Sequence, residues 1–177
     1  PLLPYESCNL GSINLANFVS VDTDGRNFVD WERLGHVVRI TTRFLDNVID
    51  ANRYSVPEIE RMTKLTRKTG LGVMGFSDML VLMRIPYNSE EGVEFGRNIM
   101  KFVREEADKI SEELAEERGV FPGYEGSSYY HQGRPMRNAC RLTVAPTGTI
   151  SIFADNVSSG IEPVFAFTYN RYINMAD

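Results

Sequence analysis

The stretch Arg141-Leu-Thr-Val-Ala-Pro-Thr-Gly-Thr-Ile-Ser151 decides the fold class. Arg141 to Ala145 reads as a short strand, and it runs directly into the turn Pro146-Thr147-Gly148-Thr149, followed by Ile150 and Ser151. The turn carries one glycine, and three hydroxyls stand at Thr147, Thr149 and Ser151. A helix starting near Thr149 would aim unpaired N–H groups and the positive end of its dipole at an anion. No lysine follows the glycine and the spacing is too short for a Walker loop. The residues alone leave two readings open: a phosphate loop, or an ordinary strand-to-helix connection with Thr and Ser as caps.

Working outward, Cys8 to Val19 suits an extended segment leading into a short strand, and Asp22 to Asn27, with Asp24-Gly25 at its tip, is a turn. Asp30 is a good N-cap for a helix to about Asn52, with Leu34, Val38, Thr41, Leu45 and Val48 recurring at three- and four-residue steps. Pro57 fits the first turn of a second helix. A third apolar segment, Leu71 to Ile85, is dense enough to be buried. The fourth helix has Asn88 and Glu91 at capping-box spacing, a stripe from Ile99 to Leu114, a Glu105/Lys109 pair, and Gly119 as its stop. Phe121 to Pro135 reads as a long surface excursion, and a last apolar stretch runs from Ile161 to Tyr169. Strands near both ends with helices between them indicate part of an α/β domain, residues 1–177 forming one piece of it.

Gly70-Leu-Gly-Val-Met-Gly75 has the spacing of a dinucleotide-binding turn, but the charged, helically periodic residues before it leave no place for the strand that turn requires. The glycines are expected instead to admit a close neighbour, in helix packing.

Nineteen basic and twenty-four acidic residues, spread along the chain, give no footprint for nucleic acid or an anionic membrane. No apolar run approaches the ~20 residues that span a bilayer, which makes the cytoplasm the default compartment. Two cysteines more than a hundred residues apart, and two histidines, His36 and His131, also far apart, imply no metal site. Cys8 lies in a polar, glycine-bearing context that favours access, although an isolated cysteine is commonly an inert core residue. Cys140, at the mouth of a strand, fits the inert case.

Four blocks taken together, Glu6-Ser-Cys-Asn-Leu-Gly-Ser-Ile-Asn-Leu15, Arg67-Lys-Thr-Gly-Leu-Gly-Val-Met-Gly-Phe-Ser-Asp78, Ala145-Pro-Thr-Gly-Thr-Ile-Ser151 and Gly160-Ile-Glu-Pro163, resemble successive blocks of the ribonucleotide reductase large subunit, in order and spacing across nearly the whole chain. The resemblance implies a segment of a ten-stranded α/β barrel. Its reaction replaces the ribose 2′-hydroxyl by hydrogen through thiyl-radical chemistry, with a pair of cysteines supplying the electrons. Cys8 matches one member of that pair, and the loop Pro146, Thr147, Gly148, Thr149, Ile150 and Ser151 matches the one that holds the substrate phosphates. The radical cysteine, its Asn and Glu helpers and the second redox cysteine match no residue here, and Cys140 is not that second cysteine. The wording of the blocks most resembles the adenosylcobalamin-dependent class. It therefore implies adenosylcobalamin, a ribonucleotide substrate and a thioredoxin-type reductant for the intact enzyme, and an inactive fragment alone. Both ends read as cuts through a barrel, whose open edges predict a homo-oligomer or a rearrangement. The alternative is a non-catalytic nucleotide- or phosphate-binding module.

Overall fold

The computed structural model describes residues 2–164, 166 and 168. At its centre lies a parallel pair, β1 (Asn9–Asn14) and β4 (Thr69–Met74), with Asn9 opposite Thr69 and Asn14 opposite Met74. A parallel pair needs a crossover. Here it contains a small hairpin, β2 (Val19–Val21) with β3 (Asn27–Val29), then α1 (Trp31–Ala51) and α2 (Pro57–Thr66). After β4 come α3 (Phe76–Met83), the long α4 (Glu90–Arg118), and two single turns, α5 (Ser128–His131) and α6 (Ile150–Phe153).

Arg141 to Thr143 flanks β4 on the side away from β1. Leu71 N–H donates to the Arg141 carbonyl at 2.8 Å, and Thr143 N–H donates back to the Leu71 carbonyl at 3.0 Å. Leu71 and Leu142 form a parallel bridge. The expected strand before the loop is therefore a third, minimally bridged member of the parallel layer.

All six residues of β4 are buried. That is the pattern of a central strand covered on both faces. Continuous burial erases the period-two alternation, which is why the sequence presents this strand as part of one long apolar segment. The segment Leu71 to Ile85 divides into β4 and α3. Gly70 and Gly72 stand inside the strand and not in helix packing, while Gly75, at φ 67°, caps the start of α3; the reason for the two strand glycines is still the close approach expected. A Cβ on Gly72 would lie 2.7 Å from the Thr143 carbonyl oxygen, and one on Gly70 would meet the tips of Leu10 and Thr143 at 2.6 and 2.9 Å.

Helix α1 starts where the sequence predicts, with the Asp30 carboxylate accepting from Arg33 N–H at 3.0 Å. Its inner face, Leu34, Val38 and Leu45, packs with Ile99, Val103 and Ala107 of α4 and with Leu71 and Val73 of β4 in one core. Burying each such aliphatic side chain contributes roughly 1.5–3 kcal/mol. The start of α4 is one residue later than the capping-box spacing indicates. Ser89, not Asn88, is the cap and accepts from Gly92 N–H at 3.0 Å, because the turn after Pro86 takes up Asn88. Lys109 likewise pairs with Glu106, one residue from the partner its spacing suggested. The excursion after Gly119 is pinned at both ends by buried Phe121 and Met136. Of the final apolar stretch, Phe165, Phe167 and Tyr169 lie outside the described residues. Among the described residues the strands do not close a barrel, and no helix is long and apolar enough to cross a membrane.

Candidate functional site

Cys8 stands immediately before β1, half-buried. Its Sγ lies 3.2 Å from the point where a Cβ of Gly70 would be, and Thr143 Cγ2 lies 2.9 Å from the same point. The sulfur and the Thr143 methyl are therefore within about 6 Å of each other, over the bare backbone of Gly70. Thr147 follows four residues after Thr143, at most ~14 Å of extended chain. The fold thus brings the sulfur and the strand that carries the loop to one face of β4.

Burial pushes the Cys8 thiol up to about 11, with the charges of Cys140 and Glu6 adding to the rise and that of Lys68 opposing it. Cys8 is consequently a protonated thiol at neutral pH. Because the thiolate is the nucleophile, only ~0.1% of it is reactive at pH 8, against roughly a quarter for an unperturbed cysteine. Its alkylation by iodoacetamide is expected to run about 250-fold slower than that of an ordinary exposed cysteine at pH 8, and to climb about tenfold per pH unit until near pH 11. Peptide mapping after timed alkylation reads this directly; a rate that levels off by pH 9 contradicts it.

Cys140, expected to be inert, is half-buried and close enough for its charge to act on Cys8. The two nevertheless belong to strands on opposite sides of β4: Asn9 is level with Thr69 on one side, and Thr69 N–H donates to the Cys140 carbonyl on the other at 2.9 Å. Two strand spacings are about 9.5 Å, beyond the ~4.4–6.8 Å between the Cα atoms of a disulfide. Cys140 is a neighbour of Cys8 and, without strand movement, not its bonding partner.

The loop is built differently from the expectation. The helix after Thr149 is a single turn, Ile150–Phe153, too short to supply a macrodipole of consequence, and Thr149 makes no side-chain cap. What the loop offers an anion is bare backbone. Among the described residues the N–H groups of Gly148, Thr149 and Ile150 make no backbone hydrogen bond, and all three residues are exposed, as is Pro146. Thr147 adopts a left-handed conformation, φ 54°. Its Oγ1 accepts from Gly160 N–H at 2.7 Å, and the buried Ser151 places its Oγ 3.3 Å from Ser159 Oγ. These two hydroxyls brace the loop against the turn Ser158-Ser159-Gly160, while Thr149 keeps its hydroxyl exposed. Asp78 at the start of α3 completes the support, its carboxylate accepting from Ser158 N–H at 2.7 Å. Sequence reading misses Asp78 and Ser159 as supports; the Gly-Phe-Ser-Asp78 block is visible, but nothing local to it points to a residue eighty positions away. Between these pieces opens a cavity of about 610 Å³, lined by Gly148, Ser151, Ser159, Asp78, Ala16 and Glu162 among others, of a size that suits a nucleotide.

The whole chain matches the family model described as the ribonucleotide reductase barrel domain, in two overlapping parts, residues 1–135 and 131–177. The chain belongs to the ribonucleotide reductase barrel-domain family. Its relatives include the vitamin B12-dependent ribonucleoside-diphosphate reductases of Thermoplasma acidophilum, 54% identical over 98% of this chain and 22% of the relative, and of Mycobacterium tuberculosis, 50% identical over 98% of this chain and 24% of the relative. Among solved structures, the class Id ribonucleotide reductase alpha subunit of Actinobacillus ureae superposes with a TM-score of 0.70 at 28% identity, covering 88% of this chain and 28% of that one. The chain thus spans about a quarter of the length of these reductases. As a piece of a ribonucleotide reductase barrel it contributes three neighbouring parallel strands with their covering helices, and the α/β class read from the sequence holds.

A corrinoid is a bulkier group than a nucleotide. The cavity beside the loop is nucleotide-sized, and the two imidazoles stand exposed on separate elements, His36 on α1 and His131 on α5. What these residues do, bracing the loop and presenting the thiol, requires no contact with such a group.

Proposed function

We propose that this chain is the part of a ribonucleoside-diphosphate reductase that presents one thiol of the reducing pair, Cys8, and the loop for the substrate phosphates, Pro146 to Ser151. The observation that carries the proposal is the joint placement of the Cys8 sulfur and Thr143 over Gly70, with the loop as the direct continuation of Thr143. The amides of Gly148, Thr149 and Ile150 and the Thr149 hydroxyl face the phosphates. Thr147 and Ser151 hold the loop in shape.

Two thiols give up two electrons and two protons as they close to a disulfide, while the substrate loses its 2′-hydroxyl as water and gains hydrogen. A thiol held protonated at neutral pH is suited to a step that needs hydrogen as well as electrons. Cys8's partner in that disulfide is a cysteine outside residues 1–177, and a thioredoxin-type dithiol reopens the bond. The relatives' names support nucleoside diphosphates as substrates and adenosylcobalamin as the radical source of the longer protein, held outside the described residues. The longer protein is proposed to be cytoplasmic, where the thiols stay reduced, and to be a homo-oligomer. The outer face of α1, with Ile40 and Phe44 more than half exposed, is one surface such an assembly could cover.

The test is a reductant-free turnover of the full-length protein, quenched by alkylation and mapped by mass spectrometry. With a ribonucleoside diphosphate present, Cys8 is expected to move from the alkylated to the disulfide-linked fraction, joined to a cysteine outside this segment. If Cys8 stays a free thiol through turnover, the non-catalytic binding module takes the proposal's place.

A further inference from the structure

The chain leading into Cys8 is tied down by more than a loop needs. The Glu6 side chain is fully buried, yet its carboxylate has three donors. Oε2 accepts from Leu3 N–H and from Lys68 Nζ, each at 2.7 Å, and Oε1 accepts from the Thr66 hydroxyl. Burial alone would raise the Glu6 carboxyl; the bonds from Lys68, Thr66 and Leu3 outweigh it and hold the group below the ordinary carboxylate value. Ser7 adds a second tie, its N–H and hydroxyl both reaching Thr63 Oγ1, at 3.2 and 2.8 Å. Residues 3–7 are thereby fastened to the last turn of α2 and to the residue before β4.

The register shows what this fastening serves. Asn9 is level with Thr69 where the paired register begins, and Cys8 and Lys68 are the residues immediately before them. The ion pair is near enough for both its charges to act on the sulfur, with Glu6 two residues before Cys8 and Lys68 just ahead of β4. Buried ion pairs add little net stability, because desolvation offsets most of the attraction, but they fix geometry when every lone pair has a donor. Here all three donors serve to hold one short segment.

We infer that Glu6 and Lys68 are positioning residues for Cys8: the buried pair locks the entry to β1 so that the sulfur stays over Gly70, facing the strand that leads to the phosphate loop. The inference rests on Cys8 being the redox thiol. The pair also presents the thiol with two opposite charges that largely cancel. Besides Cys140, these are the charges that act on it. Removing one member therefore moves the thiol in a direction set by the charge that remains, which a purely structural tie would not do.

The experiment uses the full-length protein with Glu6→Gln, Lys68→Met and the double variant, each checked for an unchanged circular dichroism spectrum. The rate of Cys8 alkylation is followed from pH 7 to 11, and kcat and KM for a ribonucleoside diphosphate are measured alongside. Glu6→Gln is expected to speed Cys8 alkylation at pH 8 by about tenfold, because the positive charge remains, and Lys68→Met to slow it, with the double variant returning towards the parent. Both single variants are expected to lower kcat by about tenfold or more with little change in KM, since the phosphate loop is untouched. If the two single variants shift alkylation in the same direction, or not at all, the inference is overturned. Should either variant lose its fold, the conservative Lys68→Arg and Glu6→Asp replace it, with partial rescue of kcat expected and none overturning the inference. Alkylation needs no turnover, so this result stands apart from the reductase reading, which fails separately if Cys8 itself proves dispensable for reduction.

Discussion

Cys8→Ser in the full-length protein is expected to lower sustained ribonucleotide reduction by ~10³-fold or more, the size of effect seen when one member of a group acting as a unit is removed. The substitution is nearly isosteric and the site is half-buried, so the packing over Gly70 changes little: the sulfur makes a single weak bond, to its neighbour's carbonyl at 3.6 Å. What changes is the chemistry. A serine hydroxyl cannot close a disulfide, so the two electrons have only one thiol to come from and the reduction stalls. The measurement is deoxynucleotide formed per enzyme in the presence of a dithiol reductant, with the circular dichroism spectrum and nucleotide binding read in parallel. Binding is expected to hold within about twofold, because the loop from Pro146 to Ser151 is not altered. A serine variant that turns over at a tenth of the parent rate or faster sinks the assignment of Cys8. Cys140→Ser is the internal control: two strand spacings from Cys8 and not its bonding partner, it is expected to leave reduction within about threefold of the parent, while making the Cys8 thiol more acidic by removing a like charge.

The sequence made legible what depends on local pattern. Asp30, Pro57 and Gly119 mark helix ends by chemistry that acts within one turn, and the structure uses all three. The strand β4 was not legible, because a strand buried on both faces has no alternation to read, and its glycines mimic a different motif. Their role needs Thr143 and Leu10, residues far away in the chain that arrive only with the fold. The loop is visible by composition but its internal division of labour is not. Thr147 and Ser151 look equivalent to Thr149 in sequence, and only the turn Ser158-Ser159-Gly160 packed against them separates the bracing hydroxyls from the exposed one. Likewise the cap of α4 falls one residue from its predicted place because a turn at Pro86 consumes a residue that no spacing rule counts.

The other large effect is expected from a residue with no part in the chemistry. Asp46 of α1 is fully buried and accepts from four side chains: Arg67 Nε at 3.0 Å and Asn138 Nδ2 at 2.9 Å on Oδ1, and Arg118 and Arg137 at 3.3 and 3.4 Å on Oδ2. Arg67 is the residue from which the chain turns, at φ 47°, into β4. Asn138 also donates to the Arg67 carbonyl at 3.0 Å and stands two residues before Cys140. One carboxylate thus ties α1, the entry to β4, the end of α4 and the start of the third strand. Removing one member of a buried ionic network leaves the others uncompensated, at a cost of about 3–5 kcal/mol. Asp46→Ala is therefore expected to speed amide exchange of β4 in the full-length protein by ~10²–10⁴-fold. Asp50→Ala, which takes a half-exposed carboxylate from the same arginine, is expected to cost no more than about 1 kcal/mol, because solvent already screens that charge. Hydrogen exchange read by mass spectrometry on the peptide spanning residues 67–74 separates the two, and equal effects would show that the network is not centred on Asp46. The same loosening reaches the site, since Gly70 and Thr143 lie three and five residues beyond Arg67 and Asn138. The Asp46 variant should accordingly lose reduction without losing any group that touches a nucleotide. A variant with fast exchange and parent-like turnover would mean that the Cys8 face is held from β1 alone.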